Sequence, residues 1–142
     1  MRWVKTCKFG DVKGVELGWS PIGYPMMTVY LYMVDDLMID TGLRHMQREV
    51  INIAGAGKIQ KVVLTHHHED HSGNAAALKD ILGISVYGHP VTVSKMKSGF
   101  SILPYQHYMW GKTVPLEMAV VPEVMETTNF RLKAIHTPGH SR

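Results

Sequence analysis

Six consecutive residues, from His66 to His71, carry four histidines and two acidic side chains directly after a short apolar run. The run Val62-Val63-Leu64 is rich in β-branched residues, which predicts a buried strand that stops at Thr65. Polar side chains at this density are costly to bury without partners, and the end of a strand is the usual place for a site in an open α/β sheet. The fold must therefore present this strand end to solvent, and the side chains point to a bound metal ion.

The spacing of the polar side chains allows two of the histidines to share one ion. In an extended chain, His66 and His68 leave the same face about 6.5 Å apart, because side chains alternate and the rise is about 3.3 Å per residue. Asp70 and His71 follow where the chain is expected to turn into a helix, so they can reach a second ion beside the first. Nitrogen and carboxylate ligands together favour zinc, with iron or manganese as alternatives.

The H-x-H-x-D-H pattern at residues 66–71, preceded by an apolar strand and Thr65, resembles the metallo-β-lactamase superfamily of binuclear metal hydrolases. Two further segments match this family in the expected order. Asp40-Thr41-Gly42 is similar to its early Asp-Thr-Gly turn, and residues 136–141, His-Thr-Pro-Gly-His-Ser, are similar to the segment that presents another metal-ligating histidine. The resemblance implies an α+β fold of the αββα sandwich type.

The resemblance also implies the roles of individual residues. By it, His66, His68 and His140 bind one metal ion, whereas Asp70 and His71 bind the other. Asp70 is in addition the expected catalytic residue, since its carboxylate can orient the attacking water or move its proton.

The resemblance covers the whole chain but only the first part of the family domain. In the family, a bridging aspartate and a last histidine come from a second half, and none of the 142 residues matches either. We therefore expect a single metallo-β-lactamase-like domain over residues 1–142 that lacks its C-terminal half. The first metal site can be complete, whereas the second keeps two protein ligands.

The rest of the chain predicts alternating strands and helices. Residues 1–18 favour a pair of strands joined by a turn. A helical repeat of apolar residues begins at Leu43, with Thr41 placed to cap the helix and Gly55 or Gly57 to end it. The remaining predicted elements are strands at 26–34, 37–39, 59–65, 84–87, 114–120 and 130–134, a helix at 72–82 with a buried stripe of Ala75, Leu78 and Leu82, and a short helix at 90–97.

Two features have alternative interpretations. Asp40 either accepts a hydrogen bond from a ligand histidine and fixes its orientation, or it caps a turn. Residues 98–113, which we call the aromatic segment, are rich in aromatic and turn residues without a clean period. They are either a packing loop or a lid over an apolar substrate.

The composition limits the class of binding partner and the cellular compartment that we expect. Hydrophobic residues at 45% and charged residues at 19% are typical of a globular domain. The net charge of +3 comes without a run of basic residues, which argues against a nucleic acid partner. Cys7 is the single cysteine, which fits a reducing compartment. Neither a signal peptide nor an apolar stretch of about 20 residues is evident, so we expect a cytoplasmic protein that does not enter the membrane.

The function that these observations favour is zinc-dependent hydrolysis of a small ester, thioester or lactone through a metal-bound hydroxide. One alternative is a truncated or split-domain fragment that is not catalytic by itself. Such a fragment would bind metal and need a homo-oligomer or a complementing C-terminal half, because half of a sandwich leaves one sheet face uncovered. A further alternative is an RNA-processing nuclease of the same superfamily.

Overall fold

The computed structural model describes residues 1–141. The strands are β1 (Arg2–Phe9), β2 (Val12–Trp19), β3 (Thr28–Val34), β4 (Leu37–Ile39), β5 (Lys61–Leu64), β6 (Ser85–Gly88), β7 (Ala119–Val120), β8 (Val124–Glu126) and β9 (Arg131–Lys133). The helices are α1 (Gln47–Ala56), which follows a 3-10 turn at Arg44–Met46, α2 (Glu69–Ser72), α3 (Ala75–Leu82), α4 (Pro90–Ser98) and α5 (Pro104–Trp110).

Seven strands form one mixed sheet in the order of the sequence, from β1 to β7. The first four pair antiparallel, whereas β4, β5, β6 and β7 pair parallel. Parallel neighbours end at the same edge of a sheet. The residues that follow β4 and β5 therefore meet, and the backbone N–H of Asp40 donates to the carbonyl of Val63 at 2.9 Å.

One face of this sheet is buried beneath the helices and forms the core. Side chains that alternate along β2 and β3 and continue in register across β4, β5 and β6 share this face. They pack into one cluster with residues of α1 and α3; the buried members include Val15, Leu31, Met33, Met38, Val62, Val86, Val50, Ala54, Ala75 and Leu78.

The opposite face is only partly covered. The hairpin of β8 and β9 forms a second, two-stranded sheet. It is fastened to the β3–β4 turn, since Thr127 and Asn129 both donate side-chain hydrogen bonds to the carboxylate of Asp35 at 2.7 and 3.0 Å. Elsewhere on this face Tyr30 remains 38% exposed. Helices on one face and the start of a second sheet on the other confirm the predicted α+β architecture, the first part of an αββα sandwich.

Most predicted elements are present with shifted ends, and three details differ. The hydroxyl of Thr41 does not cap α1, because it donates to the carbonyl of His71 and accepts from the backbone N–H of Asn74. The helix predicted at 72–82 is divided, since α2 ends at Ser72 and α3 begins at Ala75. Within α3, Ala75 and Leu78 are buried as predicted, but Leu82 is 39% exposed because it is the last residue of the helix, directly before the left-handed Gly83.

The region after α4 differs more. Residues 104–110 of the aromatic segment form α5, which local periodicity did not reveal, and the predicted strand at 114–120 is reduced to β7. Leu116 is instead held in the core by a hydrogen bond from its N–H to the carbonyl of Met96 at 3.0 Å. Within residues 1–141 no helix has the length and apolar character needed to cross a membrane.

Gly73 lies between α2 and α3, where it packs against the backbone of Gly42 and Arg44. A Cβ atom there would lie 2.6 Å from the backbone nitrogen of Arg44 and from the carbonyl oxygen of Gly42. We expect Gly73→Ala to lower the free energy of unfolding by about 3 kcal/mol, since backbone atoms have to move. Gly55→Ala is the matched control, because its Cβ would meet no atom within 4 Å and the site is helical.

The control substitution should raise the free energy of unfolding by roughly 0.5–1 kcal/mol. Urea denaturation of both variants beside the unmodified protein measures these changes. Equal free energies of unfolding for the two variants would show that the close contact of Gly73 with the backbone of Gly42 and Arg44 does not affect stability.

Candidate metal centre

Three histidines converge beyond the ends of β4 and β5. His66 and His68 lie in the loop between β5 and α2, and His140 comes from the segment that follows β9. The ring centroids of His66 are 4.6 Å from His68 and 4.9 Å from His140, and those of His68 and His140 are 5.0 Å apart. One nitrogen of each ring lies within 4.8 Å of the others. Among residues 1–141, no other group of three histidine, cysteine or acidic side chains converges in this way.

Hydrogen bonds fix which nitrogen of His66 is free. The carboxylate of Asp40 accepts from the hydroxyl of Thr65 at 2.8 Å. Thr65 has one hydroxyl hydrogen, so its oxygen accepts from Nδ1 of His66, which lies 2.9 Å away. The proton of the neutral imidazole is then on Nδ1 and the lone pair is on Nε2. That Nε2 atom is buried and has no hydrogen-bond partner within the described chain, which fits a metal ligand.

Asp40 fixes His71 in the same way. Its second oxygen lies 2.7 Å from Nδ1 of His71, and its first accepts from the backbone N–H of Thr65 at 2.8 Å. Asp40 is 4% exposed and has a left-handed backbone with φ of 60°, which is unusual for a residue with a side chain. Of the two interpretations of Asp40, the contacts support the one in which it orients a candidate ligand histidine.

Asp70 and His71 lie beside the three histidines rather than among them. Nε2 of His71 is 3.4 Å from a carboxylate oxygen of Asp70, and the ring of His71 is 4.3 Å from that of His66. The pair therefore stands next to the His66, His68 and His140 cluster, as the resemblance implies. Its role in holding a second ion stays a prediction, as does the catalytic role of Asp70.

Burial favours the neutral forms of the imidazoles of His66 and His68. It lowers the pKa of His66 to about 3, with the nearby histidines His71, His68 and His140 adding to the effect. Burial also lowers the pKa of His68, with His140 contributing. For His71 burial acts in the same direction, but the hydrogen bond and charge of Asp40 outweigh it and raise the pKa. At neutral pH the lone pairs of His66 and His68 are thus available to a cation.

The residues between the candidate ligands point elsewhere, as the spacing predicts. His67 is 7% exposed and its ring meets the ring of Phe100 at 4.8 Å and 81°. Burial and the charge of Lys95 lower the pKa of His67 to about 4. Glu69 is 2% exposed at the start of α2, and burial raises the pKa of its carboxyl.

Sequence reasoning missed the residues that support the ligands from a distance. Thr65 is recognisable in the sequence as part of the motif, but its link from Asp40 to His66 is not. Ser72 and Thr113, which are 41 positions apart in the sequence, form a buried hydroxyl pair at 3.1 Å. A local pattern carries no signal for a contact of this separation.

A cleft of about 800 Å³ begins at His66 and His140. His66, His67 and His140 line one end, and His89 and His136 stack at a centroid distance of 4.3 Å along its wall. Much of the remaining lining is apolar and includes Val63, Val91, Val121, Pro122 and Ile135. Its volume is in the range of small-molecule sites.

Curated relatives share part of this chain. It is 31% identical over 91 residues to the hydroxyacylglutathione hydrolase GloC of Haemophilus influenzae, a match that covers 58% of this chain and 41% of the relative. It is 28% identical over 124 residues to the probable metallo-hydrolase YybB of Bacillus subtilis, which covers 85% of this chain and 55% of the relative. The chain thus spans about half the length of these relatives, or less.

Solved structures show the same fold, and the similarity covers about half of each solved chain. MIM-2 metallo-beta-lactamase is similar with a TM-score of 0.65 and 25% identity, covering 93% of this chain and 51% of that one. MEM-A1, a subclass B3 metallo-beta-lactamase from a soil metagenome library, gives a TM-score of 0.68 at 20% identity, covering 94% and 52%. A model of the metallo-beta-lactamase superfamily matches residues 29–142. The chain therefore belongs to the metallo-beta-lactamase superfamily.

Proposed function

We propose that this chain carries the metal-binding part of a zinc-dependent hydrolase. The observation that carries the proposal is the buried Nε2 atom of His66, which has its lone pair turned towards His68 and His140 and has no partner in the described chain. Three imidazoles are a donor set that suits zinc, with iron or manganese as alternatives. The superfamily relatives, which are named as hydrolases, support the reaction class.

The side chains around the cluster supply orientation and proton transfer. When bound, a divalent ion acts as a Lewis acid and lowers the pKa of a coordinated water. Through Thr65, Asp40 holds His66 with its Nε2 atom free, and it binds Nδ1 of His71 directly, so that Nε2 of His71 faces Asp70. The side chain of Asp70 is 25% exposed beside His71, which supports the proposal that its carboxylate orients an attacking water and accepts its proton.

A small thioester, ester or lactone is the substrate class that we propose. The cleft that begins at His66 and His140 is lined largely by apolar side chains, which favours an acyl group over a polyanion. Two relatives are named hydroxyacylglutathione hydrolases, so a thioester is the first compound to test. The matched residues make up 41% and 24% of these two relatives. Thioester hydrolysis by the whole protein is therefore part of the proposal.

A second candidate function is supported by the exposed face of the large sheet. Phe9 and Tyr30 remain 59% and 38% exposed on that face, and the second sheet has two strands. An apolar sheet face is normally covered by another layer. We propose that this chain either forms a homo-oligomer or pairs with a polypeptide that complements the second half of the sandwich, and that it binds metal as one part of that assembly.

His68→Ala tests the metal-dependent hydrolase. We expect the purified variant to lose both bound metal and thioester hydrolysis, because two imidazoles do not hold zinc as three do. Metal content is measured by mass spectrometry of the acid-digested protein, and hydrolysis by release of the free thiol. His107→Ala is the control, since its side chain is exposed on α5. Turnover by His68→Ala at the rate of His107→Ala would reject the proposal.

Native mass spectrometry tests the second candidate, because it reports subunit number and bound metal together. If the exposed sheet face needs a partner, the purified chain should appear as a dimer or larger assembly, or in complex with another polypeptide. A strictly monomeric chain that binds two ions and turns over substrate would rule out the need for a partner.

A further inference from the structure

We propose that the aromatic segment clamps the loop that carries the candidate ligands and that Thr113 is a positioning residue for His68. The loop, residues 65–72, is called the metal loop below. The proposal rests on the metal binding proposed above and adds a requirement for a residue far away in the sequence. It also gives residues 98–113 a role that is neither inert packing nor a lid.

The first contact is a chain of hydroxyl groups. The hydroxyl of Ser72 lies 2.7 Å from the carbonyl oxygen of His67 and 2.9 Å from that of His68. Carbonyl oxygens only accept, so the single hydroxyl hydrogen of Ser72 is directed to them. The hydroxyl of Thr113, 3.1 Å from that of Ser72, is therefore the donor in their hydrogen bond.

This chain acts on the backbone of His68. Ser72 also donates its backbone N–H to the carbonyl of His68 at 2.8 Å, so that carbonyl accepts two hydrogen bonds from one residue. His68 is the residue that precedes α2, with φ of −54° and ψ of 147°. The direction of its imidazole depends on these backbone angles. Ser72 is fully buried and Thr113 is 7% exposed, so water does not readily replace the lost hydroxyl.

The second contact is between aromatic rings. Phe100 meets the ring of His67 edge to face at 4.8 Å, and His67 meets the ring of His68 at 4.8 Å and 67°. The aromatic segment is thus linked to His68 in two ways. Thr113 reaches the backbone of His68 through Ser72, and Phe100 reaches the ring of His68 through His67. Aromatic pairs at such distances and angles are favourable beyond the area they bury.

The clamp is anchored on the core on both sides of Thr113. Trp110 precedes it and is 7% exposed, and Leu116 follows it and is 8% exposed. Both belong to the core cluster, and Leu116 is also bound to the carbonyl of Met96. The burial of Trp110 and Leu116 therefore fixes the position of the Thr113 hydroxyl, and through Ser72 this hydroxyl can hold the metal loop in place.

Thr113→Val tests this role, because valine keeps the shape of threonine and removes the hydroxyl. We expect its affinity for Zn²⁺ or Co²⁺ to fall by about 10- to 100-fold, the range found when groups that orient metal ligands are removed. Affinity is measured by competition with a chromophoric chelator, and the absorption bands of bound Co²⁺ report any change in the ligand geometry. Thr113→Ser, which keeps a hydroxyl, should restore the affinity.

Ser98→Ala is the matched control, because it removes an exposed hydroxyl whose partner is the carbonyl of Ser94 within α4. It should bind metal as the unmodified protein does. Unchanged affinity in Thr113→Val would overturn the proposal, and so would equal weakening in Thr113→Ser or Ser98→Ala. An unmodified protein without any metal affinity would instead reject the proposed function, so the two failures are distinguishable.

Hydrogen exchange gives a test that needs no variant. Coupling between two parts of a protein is reciprocal, so metal bound at the metal loop should also stabilise the aromatic segment. We expect amide exchange in residues 98–113 to slow when Zn²⁺ is added, with residues 2–9 of β1 as the reference. Equal exchange with and without Zn²⁺ in a protein that binds the ion would contradict the clamp.

Discussion

The buried carboxylate of Asp40 is the interaction on which the candidate site depends. It accepts two hydrogen bonds from Thr65 and one from His71, and in this way it joins the ends of β4 and β5 to α2. A charge taken out of water requires such partners. The left-handed backbone of Asp40 costs of order 1–3 kcal/mol, and it persists because the N–H of the residue is bound to Val63 in the neighbouring strand.

The arrangement that Asp40 enforces is unfavourable without a cation. It leaves a buried lone pair on His66 beside two further imidazoles, and burial disfavours the protonated forms of His66 and His68. A ligand that binds only the folded state adds to stability in proportion to the logarithm of its concentration over the dissociation constant. A bound ion would therefore offset the unfavourable free energy of holding His66, His68 and His140 together.

The sequence was informative where chemistry and periodicity are local. The apolar run before Thr65 and the polar residues from His66 to His71 predicted a strand end with converging histidines, and the helical repeat from Leu43 predicted α1. The hydrophobic period failed at Leu82, because this residue ends α3 and the left-handed Gly83 follows it directly. It also failed to reveal α5, whose exposed aromatic residues do not form an apolar stripe.

The supports of the site escaped prediction for a different physical reason. A ligand needs an imidazole or a carboxylate, which restricts the residue types and makes a motif such as H-x-H-x-D-H visible. A support needs only one donor in the right place, which threonine, serine and several other residues supply equally well. Thr113 reaches Ser72 because Trp110 and Leu116 are buried on either side of it, and that position is set by the packing of the core. Residues that bind a metal are therefore recognisable in a sequence, whereas residues that aim them become recognisable once the fold is known.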